Sequence, residues 1–145
     1  MATSTINVGV VGYSATKFDK LKGANLVKKA FDELEKQFGS NIAIVSGYTN
    51  IGIPALAYQE AAKRGWKTVG IACKRAKNYD CFQCEEVVIV GNKWGDESET
   101  FIDYISVLIK IGGGRQSIKE LEMAKFKNKI IFEYKLEGSY PYKQN

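Results

Sequence analysis

Short runs of aliphatic and β-branched residues recur along the chain and are separated by longer, mixed stretches. Because the runs are continuous and do not alternate with polar residues, they are typical of strands that are buried on both faces of a parallel sheet. Strands are therefore predicted at residues 6–11, 42–45, 69–73, 87–90, 107–111 and 130–134.

The stretch after the first predicted strand has the periodicity of an amphipathic helix. Its apolar residues recur every three or four positions, and lysines and glutamates fill the other face. These apolar residues are Val27, Ala30, Phe31, Leu34 and Phe38. The helix is predicted to stop at Gly39, since glycine suits the left-handed position after a helix. A second helix, rich in alanine, is predicted to begin at Pro54 and to end at Gly65.

Strands thus alternate with helices along the whole chain, which predicts a single α/β domain. The expected architecture is a Rossmann-like parallel sheet of about five to seven strands with helices on both faces. The domain is expected to span residues 1–138, and the short polar segment 139–145 is expected to be a flexible tail.

The segment 107–120, VLIKIGGGRQSIKE, joins a predicted strand to a predicted helix through three consecutive glycines. Ser117 and Glu120 have the spacing of a capping box, so Ser117 is predicted to cap the helix. The amides of the first helical turn, the helix dipole and Arg115 would then favour a bound anion. An ordinary strand-to-helix connection is the alternative, but such connections seldom carry three glycines in a row.

Two other predicted strands are also followed by loops that contain glycine and hydroxyl residues. GYSATKFD follows the first strand, and SGYTNIGIP follows the second. Because the carboxyl ends of parallel strands lie at one edge of a sheet, the loops are expected to converge on a nucleotide-sized pocket. The predicted ligand-binding residues are Gly12, Ser14, Gly47, Tyr48, Thr49, Gly52, Gly113, Gly114, Arg115, Gln116, Ser117 and Glu120.

The composition of the 145-residue chain, with 45% hydrophobic and 26% charged residues, is ordinary for one soluble domain. No apolar run is long enough to cross a membrane and the N-terminus lacks a basic leader, so a cytoplasmic protein is expected.

The net charge is +5, and basic residues are concentrated at 63–77, ahead of an acidic stretch. Few aromatic residues are interleaved with the basic ones, which argues against a nucleic-acid groove. A small anionic ligand suits this charge distribution better than a polynucleotide does.

Cysteine and histidine usage limits the chemistry that is open to the chain. Cys81 and Cys84 form a Cys-x-x-Cys pair, Cys73 lies nearby in sequence, and there is no histidine. A zinc site would need a fourth ligand such as Asp80, Glu85 or a cysteine of a partner chain, so no bound metal and no cofactor are expected. A redox pair and plain reduced cysteines stay open as alternatives. Without histidine, any hydrolysis must use carboxylates.

The glycine loops resemble those of the Rossmann-like nucleotide-binding family once called lysine decarboxylase-like. That family includes cytokinin-activating phosphoribohydrolases, molybdenum-cofactor carrier proteins and nucleotide-sensing domains. Its signature has two glycines, a spacer, a third glycine, a threonine and a glutamate three positions later. GGRQSIKE is similar to it, with Gly113, Gly114, Ser117 and Glu120 at the matching positions and Gln116 in place of the third glycine. SGYTNIGIP and VGVVGYSA resemble the family's other two loops.

The resemblance covers nearly the whole chain and implies that these loops bind the phosphate and ribose of a nucleotide. It also implies a homodimer formed through the helices, a role that suits the alanine-rich helix from Pro54. The hydrolytic members carry an arginine on the helix before the signature strand, whereas this chain has DESET, residues 96–100, at that place. Carboxylates there would repel the phosphate that the arginine stabilises.

Two functions follow from the loops and the resemblance. The first is binding of a nucleotide or a ribosyl-phosphate-containing small molecule, as a sensor, a carrier or a sequestering protein. The second is a phosphoribohydrolase that cleaves the N-glycosidic bond of a nucleoside monophosphate, with Glu120 as its catalytic residue. The missing arginine favours binding. The phosphate is expected on the amides of residues 113–117, the sugar toward Glu120, and the base toward the loops after the first two strands.

Overall fold

The computed structural model describes residues 4–139, which form a six-stranded parallel sheet and a separate two-stranded ribbon. The strands are β1 (Ile6–Gly12), β2 (Lys17–Phe18), β3 (Ile42–Ser46), β4 (Lys67–Ala72), β5 (Glu86–Ile89), β6 (Val107–Ile111), β7 (Ile130–Tyr134) and β8 (Gly138–Ser139). The helices are α1 (Lys20–Phe38), α2 (Gly52–Lys63), α3 (Ser98–Tyr104) and α4 (Arg115–Phe126), with a 3₁₀ helix at Lys74–Asn78.

The strand order of the large sheet is β5-β4-β3-β1-β6-β7, and every pair in it is parallel. The chain runs outward from β1 to β5 on one side and then returns to β6 on the other side of β1. The connections therefore reverse direction between β1 and β6, and such a switch point opens a crevice at the carboxyl ends of the strands. The predicted Rossmann-like architecture is confirmed.

Helices cover both faces of the sheet, and each face has its own apolar core. Helices α1 and α2 pack on one face, where Phe31, Leu34 and Tyr58 are fully buried. Helices α3 and α4 pack on the other face, around Phe101 and Ile102. The continuous apolar runs of the sequence are explained by this double coverage, because side chains on both faces of each central strand lie in an apolar environment.

Several predicted boundaries are confirmed and others are wrong. Helix α1 ends at Phe38, and Gly39 follows it with a φ of 83°. Helix α2 begins at Gly52, two residues before Pro54. The amide of Ile53, in its first turn, donates to the carbonyl oxygen of Tyr13, 2.8 Å away. The alanines Ala57 and Ala61 of α2 are fully buried within the chain. The expected homodimer stays a prediction.

The start of α4 also differs from the predicted capping box. The cap residue is Gly114 and makes no side-chain cap hydrogen bond, and Ser117 lies within the first turn. Ser117 Oγ instead donates to the carbonyl oxygen of Gly12 at 3.4 Å, and Glu120 accepts a hydrogen bond from Ser98. The capping box is therefore wrong, since both side chains are engaged by other parts of the fold.

The C-terminal end of the described chain pairs with the segment after β1. Strand β8 is antiparallel to β2, with Gly138 opposite Phe18. Ser139, the first residue of the predicted tail, belongs to this ribbon, and the rest of the tail, 140–145, lies outside the described residues. The position of the domain boundary stays a prediction.

Two glycines, Gly12 and Gly52, allow the end of β1 and the loop after it to lie close to β6 and to the start of α2. A Cβ atom at Gly12 would lie 2.4 Å from the carbonyl oxygen of Ile111 and 2.8 Å from Cβ of Ile53. A Cβ atom at Gly52, whose φ is 66°, would lie 2.2 Å from the carbonyl oxygen of Tyr13. Contacts this short do not occur for real Cβ atoms, so these two glycines let β1, β6 and α2 meet.

We expect Gly12→Ala to destabilise the protein by about 3 kcal/mol, because the added methyl group meets a backbone carbonyl that cannot move away. Gly47→Ala is the matched control, since no atom lies within 4 Å of a Cβ built at Gly47, in the loop after β3. Urea unfolding of both variants measures the difference in free energy. Equal stability of the two variants would contradict the packing role of Gly12.

Candidate functional site

A cavity of about 280 Å³ lies at the carboxyl ends of the sheet strands, where the loops after β1, β3 and β6 meet. Its size is at the lower end of the range for small-molecule sites. Nine of the twelve predicted site residues line it: Gly12, Ser14, Gly47, Thr49, Gly114, Arg115, Gln116, Ser117 and Glu120.

The other three predicted residues, Tyr48, Gly52 and Gly113, shape the loops without lining the cavity. Tyr48 has a φ of 74°, and its side chain occupies the space that a Cβ atom at Gly70 would need. Gly113 has a φ of 113°, and a Cβ there would lie 2.6 Å from Cβ of Ser117. These three residues are therefore explained by backbone conformation and close packing. A glycine that is needed for the backbone and a glycine that leaves room for a ligand look the same in a sequence.

The N-terminus of α4 faces the cavity and is open to a ligand. No atom lies within 4 Å of a Cβ built at Gly114, the residue that precedes the helix. The first amides of a helix, here those of Arg115, Gln116 and Ser117, have no intrahelical partner and carry the positive end of the helix dipole. The exposed side chain of Arg115 also lines the cavity. Together these groups form an anion cradle, by which we mean residues 114–117.

Two buried carboxylates line the same cavity. Glu97 and Glu120 are each only 5% exposed. Gln116 connects them, because its Nε2 donates to Glu97 Oε2 at 3.1 Å and to Glu120 Oε2 at 3.3 Å. Ser98 Oγ donates to Glu120 Oε2 at 2.8 Å, and the amide of Gly95 donates to Glu97 Oε1 at 3.1 Å. We call these two glutamates the carboxylate pair.

Neither member of the carboxylate pair forms an ion pair with a lysine or arginine of residues 4–139. Burial therefore raises the pKa of Glu120 to about 7, and the charge of Glu97 acts in the same direction. The hydrogen bonds from Ser98 and Gln116, and the charge of Lys119, oppose this shift. Near neutral pH the Glu120 carboxyl group thus exists in both protonation states, and it can either donate or accept a hydrogen bond.

Sequence reasoning did not include Glu97, Ser98 or Trp94 among the site residues, although all three border the cavity or its carboxylates. Glu97 and Ser98 fall within the window where the resemblance places an arginine. In the structure Gln116, which stands where the resemblance places a third glycine, donates to Glu97. The acidic window 96–100 was noted in the sequence, but no local pattern separates Glu97 from its neighbours in that window.

None of the three cysteines lines this cavity, although the backbone of Cys81 is paired with that of Thr49, which does. Cys73 is buried, and Cys81 Sγ donates to the carbonyl oxygen of Ala76 at 3.1 Å. Burial raises the pKa of the Cys84 thiol to about 11, which keeps it protonated at neutral pH. Residues 4–139 contain no group of three or more potential metal-ligating side chains, and the expectation of no bound metal stays a prediction.

Comparison with solved structures identifies proteins of the same fold. The molybdenum cofactor carrier protein of Chlamydomonas reinhardtii matches with a TM-score of 0.73 and 14% identity, over 90% of this chain and 76% of that chain. The molybdenum cofactor binding protein of the phototrophic bacterium Rippkaea orientalis matches with a TM-score of 0.69 and 20% identity, over 93% of this chain and 78% of that chain. TM1055, a structural genomics target, matches with a TM-score of 0.71 and 21% identity, over 87% of this chain and 72% of that chain.

These likenesses show that the chain has the Rossmann-like fold of the molybdenum cofactor carrier proteins, as the resemblance in sequence predicted. No protein-family profile and no curated protein sequence matches the chain. Within residues 4–139 no helix is both long enough and apolar enough to cross a membrane.

We expect ionisation of Glu120 to destabilise the fold. The pKa of Glu120 is raised from 4.5 to about 7 in the folded protein. The stability that comes from keeping this carboxyl group protonated is therefore complete below pH 4.5, and it is lost as the pH rises through about 7. The loss corresponds to roughly 3 kcal/mol. Urea unfolding as a function of pH should therefore show a decline over this range that is absent in Glu120→Gln. Glu122→Gln, an exposed change on the same helix, is the control and should behave like the wild type. Parallel pH profiles for all three proteins would contradict the assignment.

Proposed function

We propose that the chain binds a nucleotide or another ribosyl-phosphate-containing small molecule, as a sensor, a carrier or a sequestering protein. The observation that carries this proposal is the presence of an anion cradle and a carboxylate pair in one cavity. A ligand that satisfies both needs an anionic group at one place and hydrogen-bond donors at another. A phosphorylated ribose has this combination, because its hydroxyl groups donate to carboxylates and its phosphate accepts from amides.

The two features also fix the orientation of such a ligand. The phosphate accepts hydrogen bonds from the amides of the anion cradle and from Arg115. It avoids Glu97 and an ionised Glu120, since like charges repel in a partly buried site. The ribose hydroxyls then donate to the carboxylate pair, which has accepting capacity left after its bonds with Ser98, Gly95 and Gln116.

The names of proteins with the same fold support a binding role. Two of the matching structures are described as a molybdenum cofactor carrier protein and a molybdenum cofactor binding protein. These descriptions apply to those proteins. For this chain they favour a protein that holds a small molecule over one that converts it.

The alternative is a phosphoribohydrolase, and the observation that favours it is the near-neutral pKa of the Glu120 carboxyl group in a cleft. The charges around that group argue against it. The expected arginine would hold the phosphate of the substrate, and the window 96–100 contributes a carboxylate, Glu97, to the cavity instead. That carboxylate repels the phosphate. Glu120 is also held by Ser98 and Gln116, so we assign it to ligand binding.

We expect Gly114→Val to abolish nucleotide binding without unfolding the protein. The valine side chain has open space at this position and projects into the anion cradle. Arg115→Ala should weaken binding by about tenfold, since it removes one charge-assisted hydrogen bond. Lys125→Ala, at the other end of α4, removes the same charge and is the matched control.

Titration calorimetry against nucleoside monophosphates, cyclic nucleotides and nucleotide sugars measures these effects, with thermal unfolding as the check on folding. If a member of the panel binds wild type and folded Gly114→Val equally well, the ligand lies elsewhere.

We expect no hydrolysis of nucleoside monophosphates, because residues 96–100 lack the arginine that would hold the substrate's phosphate during cleavage. Prolonged incubation with adenosine monophosphate followed by chromatography should recover no free adenine. Release of adenine by the wild type that is lost in Glu120→Ala would instead establish the phosphoribohydrolase.

A further inference from the structure

Three aromatic side chains line the cavity, and they differ in exposure. Tyr13 and Phe101 are 8% and 3% exposed, and both pack within the protein. Trp94, in the segment between β5 and α3, is 44% exposed. Of the aromatic rings at this cavity, Trp94 therefore has the surface that is available to a ligand.

Trp94 is paired with a second exposed aromatic residue. Its ring centroid lies 5.7 Å from that of Tyr79, which is 61% exposed, and the two ring planes are inclined by 62°. An edge-to-face contact of this kind covers at most one of the four ring faces of the pair. The contact thus steadies the rings while a large part of each side chain stays exposed.

Trp94 also lies next to the anion cradle. A second cavity, of about 420 Å³, borders the first, and both are lined by Trp94, Arg115 and Gln116. Arg115 and Gln116 belong to the first turn of α4. A ligand whose phosphate lies on the cradle is therefore adjacent to the indole ring.

The backbone around Trp94 is held in place by hydrogen bonds that do not involve the indole. Asp96 Oδ2 accepts from the amides of Asn92 and Lys93, at 2.9 and 3.0 Å. The amide of Lys74 donates to the carbonyl oxygen of Gly91 at 3.0 Å, which ties the segment to the 3₁₀ helix. An exposed ring on a constrained segment is organised before a ligand arrives, which lowers the entropic cost of binding.

The same segment is connected to the carboxylate pair. Glu97 Oε1 accepts from the amide of Gly95, the residue after Trp94, and Glu97 Oε2 accepts from Gln116. Glu97 therefore links the position of the aromatic ring to the floor of the cavity and to α4.

We propose that Trp94, steadied by Tyr79, is a stacking platform for the planar heterocycle of the bound ligand. This inference rests on the proposed function and extends it. The base lies at the mouth of the cavity against the indole, not toward the loops after β1 and β3 as the sequence alone indicated. Those loops offer small polar side chains and the buried Tyr13, whereas every nucleobase has a flat face that an indole can cover.

A fluorescence measurement tests the contact directly. The chain has two tryptophans, Trp66 and Trp94, and Trp66 is only 4% exposed. Trp66→Phe leaves Trp94 as the only indole reporter. Addition of purine nucleoside monophosphates should quench its emission to saturation, whereas ribose 5-phosphate, which has no base, should bind with little quenching.

Binding measurements on variants provide a second test. Trp94→Ala should weaken the binding of nucleoside monophosphates by roughly 5- to 150-fold, the range found for loss of one base-aromatic stack, and Trp94→Phe should lose less. Ribose 5-phosphate should bind Trp94→Ala and wild type alike. Phe126→Ala is the matched control, because Phe126 is 87% exposed at the far end of α4 and outside both cavities.

The outcomes separate this inference from the proposed function. Selective loss of nucleotide affinity in Trp94→Ala, with ribose 5-phosphate affinity kept, supports both. Undiminished nucleotide affinity in a folded Trp94→Ala, or saturable binding that leaves Trp94 emission unchanged, overturns the platform and leaves the proposed function standing. If neither the nucleoside monophosphates nor ribose 5-phosphate bind the wild type, both are overturned.

Discussion

The parallel pairing of β1 with β6 is the constraint on which the rest of the site depends. It places Gly12 opposite Ile111, so that the last residues of the two strands enter their loops side by side. Only glycine fits at position 12, because a side chain would collide with the Ile111 carbonyl oxygen and with Ile53. The chain returns to β6 only after completing β3, β4 and β5, and so the loops before α2 and α4 open at the same edge.

The carboxylate pair is buried, and the polar partners of its two side chains among residues 4–139 are hydrogen-bond donors and not cations. Without the side chain of Gln116, Glu97 would keep the hydrogen bond from the amide of Gly95, and Glu120 would keep the one from Ser98. Gln116 supplies a donor to both Glu97 and Glu120, which offsets part of the cost of burying them. The result is a site that accepts hydrogen bonds at its floor, while the anion cradle donates them at its rim.

The strands and the main helices could be predicted from sequence because each has a local signal. The run 107–111 and the periodic positions from Val27 to Phe38 are examples, and both lie where expected. The capping role of Ser117 was predicted wrongly because the same four-residue spacing occurs whether the side chains bond locally or to distant residues. Glu97 and Trp94 lie in an irregular segment without periodicity, and their place at the cavity is set by long-range strand order. No pattern of neighbouring residues in the sequence could reveal that these two side chains reach the cavity.

In the proposed complex, the anion cradle, the carboxylate pair and Trp94 contact different parts of the ligand, and this division would make the site selective. The anion cradle alone would accept any phosphate, and an exposed indole alone would accept any flat ring. The carboxylate pair rejects a phosphate placed at the floor, so the anion is confined to the rim beside Arg115. A molecule that combines phosphate, hydroxyl-bearing sugar and planar ring satisfies all three at once, whereas fragments of it satisfy one or two. Gln116 and Glu97 join the anion cradle, the carboxylate pair and the segment of Trp94 through hydrogen bonds. Because these groups are held together before a ligand arrives, binding at all three would cost less conformational entropy than binding to three independent groups.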